Sequence, residues 1–291
     1  MQQRQTEEAD GNASDLPHRY EAFSAEQQSA AQCGITVRVA PTARIGAMCV
    51  DQIAHAIDRS PRAFLGTATG STPHTVGFWK VLQQRAANGS LDLKDATFVE
   101  PDEWVGLPKG HPETYRAYLE KELTDHFPTN ILVPDGNASD PIASAVEAEQ
   151  AIVDGGGFAW MMLGMGINGH IGFFEPCADG VSSQPFTPRI DEINRQRYAE
   201  ENFGSLDKVP THATTIGMGT VMRSRHLCLV VVGQSKAEML AKALAGPVTM
   251  ELPASVIQLA TSATVFLDEA SASGLDLQAL NKRPGWRVET E

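Results

Sequence analysis

From Gly34 onward, short apolar runs alternate with stretches whose apolar residues recur at helical spacing. The run Ile35-Thr36-Val37-Arg38-Val39 predicts a strand, and Ile45, Cys49, Ile53 and Ile57, each four residues apart, predict an amphipathic helix behind it. The theme returns at Ala63-Phe64-Leu65 with a helix opened by Pro73, and at Ala159-Trp160-Met161-Met162-Leu163. It returns again at Leu227-Cys228-Leu229-Val230-Val231-Val232, ahead of a helix near Lys236 to Leu244. Near-continuous apolar runs suit strands that are buried on both faces. The expected fold is therefore α/β: a doubly wound, mostly parallel sheet with helices on both faces, Rossmann-like in its winding. Residues 1–18 are polar and aperiodic and are expected to form a mobile tail, leaving 19–291 as a single α/β domain.

In such folds ligands sit beyond the carboxyl ends of strands, so three strand-end segments carry the functional question. The first, Gly66-Thr67-Ala68-Thr69-Gly70-Ser71-Thr72-Pro73, offers hydroxyls and free backbone N–H groups at a helix start, with Thr72 expected to cap the helix. That is an anion cradle, although an ordinary capped turn would read the same way. The second, Glu100-Pro101-Asp102-Glu103-Trp104-Val105-Gly106, sets carboxylates beside an aromatic residue. A buried carboxylate there would have a raised pKa and serve as a base, whereas an exposed one would be only an acidic turn. The third, Gly164-Met165-Gly166-Ile167-Asn168-Gly169-His170-Ile171-Gly172-Phe173-Phe174-Glu175-Pro176, lets backbone approach a ligand through four glycines. Glu175 is expected to hold one nitrogen of the His170 ring and leave the other to exchange a proton. The glycine spacing is wrong for a dinucleotide fingerprint, and no second ligand cluster accompanies His170 and Glu175, so neither a nucleotide cofactor nor a metal is expected.

Charge and composition narrow the partners. A formal net charge of -13 over 291 residues, with no clustered basic face, argues against a phosphate-backbone binder, so no nucleic acid partner is expected. No apolar run reaches the roughly 20 residues of a membrane helix, and no membrane partner is expected. Cys33, Cys49, Cys177 and Cys228 show no CxxC spacing and come without a secretory leader, which suggests a reducing, cytoplasmic setting.

Together, Ala68 to Pro73, Asp102 to Pro108, His111 to Tyr115, Leu163 to Pro176, Val209 to Thr220, Gly233 to Ala237 and Leu252 to Ser255 resemble the glucosamine-6-phosphate deaminase family, over about residues 34–273. The resemblance implies the sugar-phosphate isomerase type of α/β fold and conversion of glucosamine 6-phosphate and water into fructose 6-phosphate and ammonia, with no cofactor. It implies that Asp102 moves a proton between C2 and C1, and that His170, supported by Glu175 and Asn168, opens the sugar ring. It places the phosphate on Thr69, Gly70, Ser71, Thr72 and Lys236, with an arginine from a lid over 190–208. The lid motif departs from the family's pattern: Arg197 is the choice for that arginine, while an ungapped reading puts Glu201 there. Phe174 also stands where an amide is common. No equivalent of an allosteric anion cluster follows Glu175, so no such regulation is expected. Galactosamine 6-phosphate remains an alternative substrate; a 6-phosphogluconolactonase or a non-catalytic sugar-phosphate binder fits less well, and a homo-oligomer stays open.

Overall fold

The computed structural model describes residues 34–176 and 181–291; the tail expected over 1–18 lies outside them, as do Cys33 and Cys177. Its main sheet has eight strands, all pairs parallel: β1 (Gly34–Val39), β2 (Phe64–Gly66), β3 (Thr97–Val99), β5 (Asn130–Leu132), β6 (Phe158–Gly164), β8 (Leu227–Val231), β9 (Ser262–Leu267) and β10 (Trp286–Thr290). The spatial order is β10-β1-β9-β8-β6-β2-β3-β5. The first strand, β1, is thus held between the last two, with Val37 opposite Val265 on one side and Val288 on the other. A separate antiparallel pair joins β4 (Asp102–Trp104) to β7 (Ala213–Thr215).

Alternate side chains of the central strands feed two cores, as strand geometry requires. Trp160 and Met162 of β6 join one cluster with Leu65, Phe98 and Ile45, Cys49 and Ile53 of α1 (Thr42–Arg59). Met161 and Leu163 join the other. There they meet Leu229 of β8, Ala148 and Ile152 of α5 (Pro141–Asp154), and Leu240 and Leu244 of α8 (Ala237–Ala245). Both faces of the sheet are covered, which is why β8 is buried along its whole length and reads as an unbroken apolar run. The doubly wound expectation is met. The four apolar positions predicted for the first helix are all buried in α1.

Cys49 and Cys228, 179 residues apart in the chain, meet in the α1-side core as buried free thiols with Sγ atoms 3.7 Å apart. A third, smaller cluster of Trp104, Phe173, Ile190, Ala199, Phe203 and Val209 lies outside the sheet and joins β4 to the segment 190–208. Among the described residues, no helix is long and apolar enough to cross a membrane.

Candidate active site

Because β8, β6, β2 and β3 are consecutive in the sheet, the segments that leave their carboxyl ends converge, although they are scattered from residue 67 to residue 236. They enclose a cleft of about 570 Å³, to which 197–203 adds a wall. Asp102, His170, Arg197 and Lys236 all line it, as do Thr69, Gly70, Ser71 and Thr72. Asn168 and Glu175 stand behind His170 as its supports.

The turn after β2 runs into α2 (Ser71–Thr75). Its N-cap is Gly70 with extended backbone, so Thr72, expected to cap, instead lies inside the first turn. First-turn N–H groups have no partner within their own helix, so this end remains suited to an anion. The second segment departs further from a loop: Asp102 begins β4 and pairs with Thr215 of β7. The acidic surface turn is ruled out, since Glu100, Asp102 and Glu103 are only 3%, 4% and 4% exposed. Glu103 is saturated. Its carboxylate accepts the backbone N–H groups of Trp104, Tyr115 and Arg116 at 2.9, 3.0 and 3.1 Å, tying β4 to α4 (Tyr115–Leu119). Asp102 keeps Oδ1 buried without a partner, and burial raises its carboxyl to about 7.

The geometry corrects the expected support of His170. Glu175 is 3.9 Å from Nδ1, and the amide of Asn168 comes between them. Asn168 Nδ2 donates to Glu175 Oε2 at 3.2 Å, which turns Oδ1 to His170 Nδ1 at 2.7 Å. The shorter contact, to the Asn168 oxygen, favours the hydrogen on Nδ1 over the 3.2 Å approach of Asn194 Nδ2, which leaves Nε2 as the acceptor. Asn194, which sequence reading missed, donates Nδ2 to both Glu175 oxygens, at 2.9 and 3.1 Å. Burial, reinforced by the positive charges of Arg197 and Lys236, lowers His170 to about 4. Near neutral pH the imidazole is therefore uncharged.

The glycines of this segment also do something other than admit ligand. A Cβ on Gly166 would lie 2.1 Å from His170 Cε1, and one on Gly172, whose φ is +55°, would lie 2.9 Å from Asp102 Oδ2. Both line the cleft, but what each lacks is the room filled by a predicted catalytic side chain.

The segment 190–208 folds as α6 (Glu192–Tyr198), a π-helical turn Ala199–Phe203 and a 3-10 turn Leu206–Lys208. Its two arginines, Arg195 and Arg197, take different roles. Arg195 donates to the carbonyls of Leu206, Val209 and Pro210 and ties the segment together. Arg197 lines the cleft, with Nε held by Glu201 at 2.7 Å and its other guanidinium edge without a protein partner among the described residues. Glu201, the ungapped alternative, reaches the cleft as the partner of that arginine. Lys236 follows β8 on a turn whose Gly233 N–H donates to Asp268, and burial beside Arg197 lowers its ammonium. Arg197, whose charge Glu201 offsets in part, and Lys236 thus bring two cationic donors into the same cleft, a combination suited to an anion.

A family model described as glucosamine-6-phosphate isomerases/6-phosphogluconolactonase matches residues 39–266. The chain belongs to this family. Curated members similar to it include a glucosamine-6-phosphate deaminase of Pseudarthrobacter chlorophenolicus, 39% identical over 251 residues (84% of this chain, 95% of the relative). Another, from Mycolicibacterium smegmatis, is 39% identical over 255 residues, again covering 84% of this chain and 95% of the relative. The solved structure of a monomeric glucosamine-6-phosphate deaminase superposes with a TM-score of 0.76 at 32% identity, covering 82% of this chain and 99% of that one. The Trypanosoma brucei 6-phosphogluconolactonase, at 15% identity and a TM-score of 0.65, covers 84% of this chain and 100% of its own and shares the fold. Within the family, this chain's Phe174 is buried in the core, and the amide contacts to Glu175 come from Asn168 and Asn194.

Proposed function

We propose that the chain is a glucosamine-6-phosphate deaminase, converting glucosamine 6-phosphate and water into fructose 6-phosphate and ammonia. Family membership supports the reaction class, and relatives at 35–39% identity bear that activity's name. The observation that carries the reading is the pairing, in one cleft, of a buried carboxyl with an unpartnered oxygen and a neutral imidazole oriented by an amide and a carboxylate.

Arg197, Lys236 and the first turn of α2 hold the phosphate and fix the sugar chain along the cleft. His170 Nε2 takes the proton of the C1 hydroxyl and returns it to the ring oxygen, opening the pyranose. The cost of forming imidazolium falls once the phosphate neutralises the two cations that depress it. Ionised Asp102 removes the C2 proton and delivers it to C1, while the C1 oxygen gains a proton and the amino nitrogen gives one up, leaving a hydroxyl at C1 and an imine at C2. Water adds there and ammonia departs, so atoms and electrons balance without a redox step.

A galactosamine 6-phosphate reading keeps this mechanism and changes one hydroxyl. The test is ammonia release from the purified protein with each epimer, coupled to detection of the ketose phosphate. Turnover of glucosamine 6-phosphate supports the reading; preference for the galacto epimer changes the substrate; silence on both, with 6-phosphogluconolactone hydrolysed, overturns it. Lys236→Ala should raise KM for the phosphorylated sugar by about ten- to a hundredfold, the worth of one charge-assisted contact, with kcat nearly unchanged. An unchanged KM removes Lys236 from the phosphate site.

A further inference from the structure

The reaction sketched above leaves one buried acid of the cleft unused. Glu100 directly follows β3, its backbone N–H donating to the carbonyl of Leu132 at 3.1 Å, and it lines the same cleft as Asp102. It is 3% exposed, and Oε2 is fully buried without a hydrogen-bond partner. Neighbouring Glu103 satisfies three backbone N–H groups with its carboxylate, whereas the Glu100 carboxyl meets the backbone N–H of Asp102 and the hydroxyl of Thr69 and still leaves Oε2 unpaired. A buried polar atom without a partner calls for an explanation, and a ligand group is the natural one in a cleft wall.

The surroundings select the ligand group. Glu100 feels the charges of Asp102 and Glu103, and its own charge is felt by Tyr115 and Tyr118. Burial, together with the two carboxylates, pushes its carboxyl well above the usual range. That corner repels phosphate, whose receptor is formed by Arg197 and Lys236 beside His170. It welcomes a basic nitrogen. Asp102, the base assigned to C2, is two residues away, so the substituent on C2 falls within reach.

Resting on the reading above, we propose that Glu100 receives the 2-amino nitrogen of the substrate and sets the preference for an amino sugar over its hydroxyl counterpart. A carboxylic acid facing an amine and a carboxylate facing an ammonium have the same total charge, so the pair forms without a proton from solvent. A C2 hydroxyl cannot take that proton and gains only a neutral hydrogen bond. Glu100 thereby acts as a specificity residue distinct from the proton-transfer group.

Two acyclic probes that cannot isomerise separate this role from a structural one: 2-amino-2-deoxyglucitol 6-phosphate and glucitol 6-phosphate, titrated calorimetrically. The wild-type protein should bind the amino probe at least about tenfold more tightly than the hydroxyl probe. Glu100→Gln should bring that ratio toward one while leaving affinity for glucitol 6-phosphate within about threefold. Glu100→Met, apolar and of similar volume, gives the same readout if the amide variant is unstable. A ratio unchanged in the variants, or a wild-type protein that does not discriminate, overturns the role of Glu100. A wild-type protein that binds neither probe overturns the amino-sugar-phosphate reading itself.

Discussion

Asp102→Asn should lose ammonia release by up to about 10⁴-fold in kcat, the upper range for a positioned general base, while KM for the sugar phosphate stays within about threefold. The amide keeps the size and strand pairing of the aspartate but has no lone pair basic enough to take a carbon-bound proton. Its surroundings should accommodate the amide, since the site already holds the protonated, uncharged carboxyl for part of the time near neutrality. Burial raises Asp102 to about 7, so the base is half protonated near neutrality. Only the ionised form accepts the proton, so kcat/KM of the wild type should climb as pH rises through about 7 and level off above it. In Asp102→Asn that limb should vanish from whatever activity remains. Loss of sugar-phosphate binding instead would make Asp102 a ligand or a folding residue.

His170→Gln is expected to cost about 10²–10⁴-fold in kcat, the span of general acid–base catalysis, because an amide cannot accept the C1 hydroxyl proton and pass it on. The defect should spare recognition: an acyclic amino-sugar phosphate, which has no ring to open, should bind the variant as it binds the wild type. Wild-type turnover in His170→Gln would remove it from ring opening. Equal weakening of the acyclic ligand would make its role one of binding.

How much of this was legible beforehand depended on where each signal resides. β2, β6 and β8 announce themselves as apolar runs because both faces of the sheet are covered there, and β1 does so by alternating buried Ile35, Val37 and Val39 with half-buried Thr36 and Arg38. β10 does not, because it is an edge strand whose Arg287 and Glu289 face outward, and its pattern of partial exposure resembles a polar tail. β4 was read as part of a loop because three residues leave no periodicity, and only pairing with β7 makes them a strand. The site residues were legible as types in a pattern, but their pairwise geometry was not. The spacing of His170 and Glu175 suggested direct contact, whereas the fold inserts Asn168 between them and brings Asn194 from 24 residues beyond the histidine. Nor does any local pattern reveal that Gly166 makes room for an imidazole and Gly172 for a carboxylate contributed by a strand 70 residues earlier.

The placement of β1 between β9 and β10 bears on how the chain is made. During synthesis at about 5–20 residues per second, β1 emerges first and has neither neighbour until the last strands follow, roughly ten to fifty seconds later. Throughout that interval Ile35, Val37 and Val39, buried in the finished molecule, have no native surface to cover them. The nascent chain therefore carries β1 unpaired until β9 and β10 have been made, and this apolar segment is one that a chaperone or an early aggregate would meet.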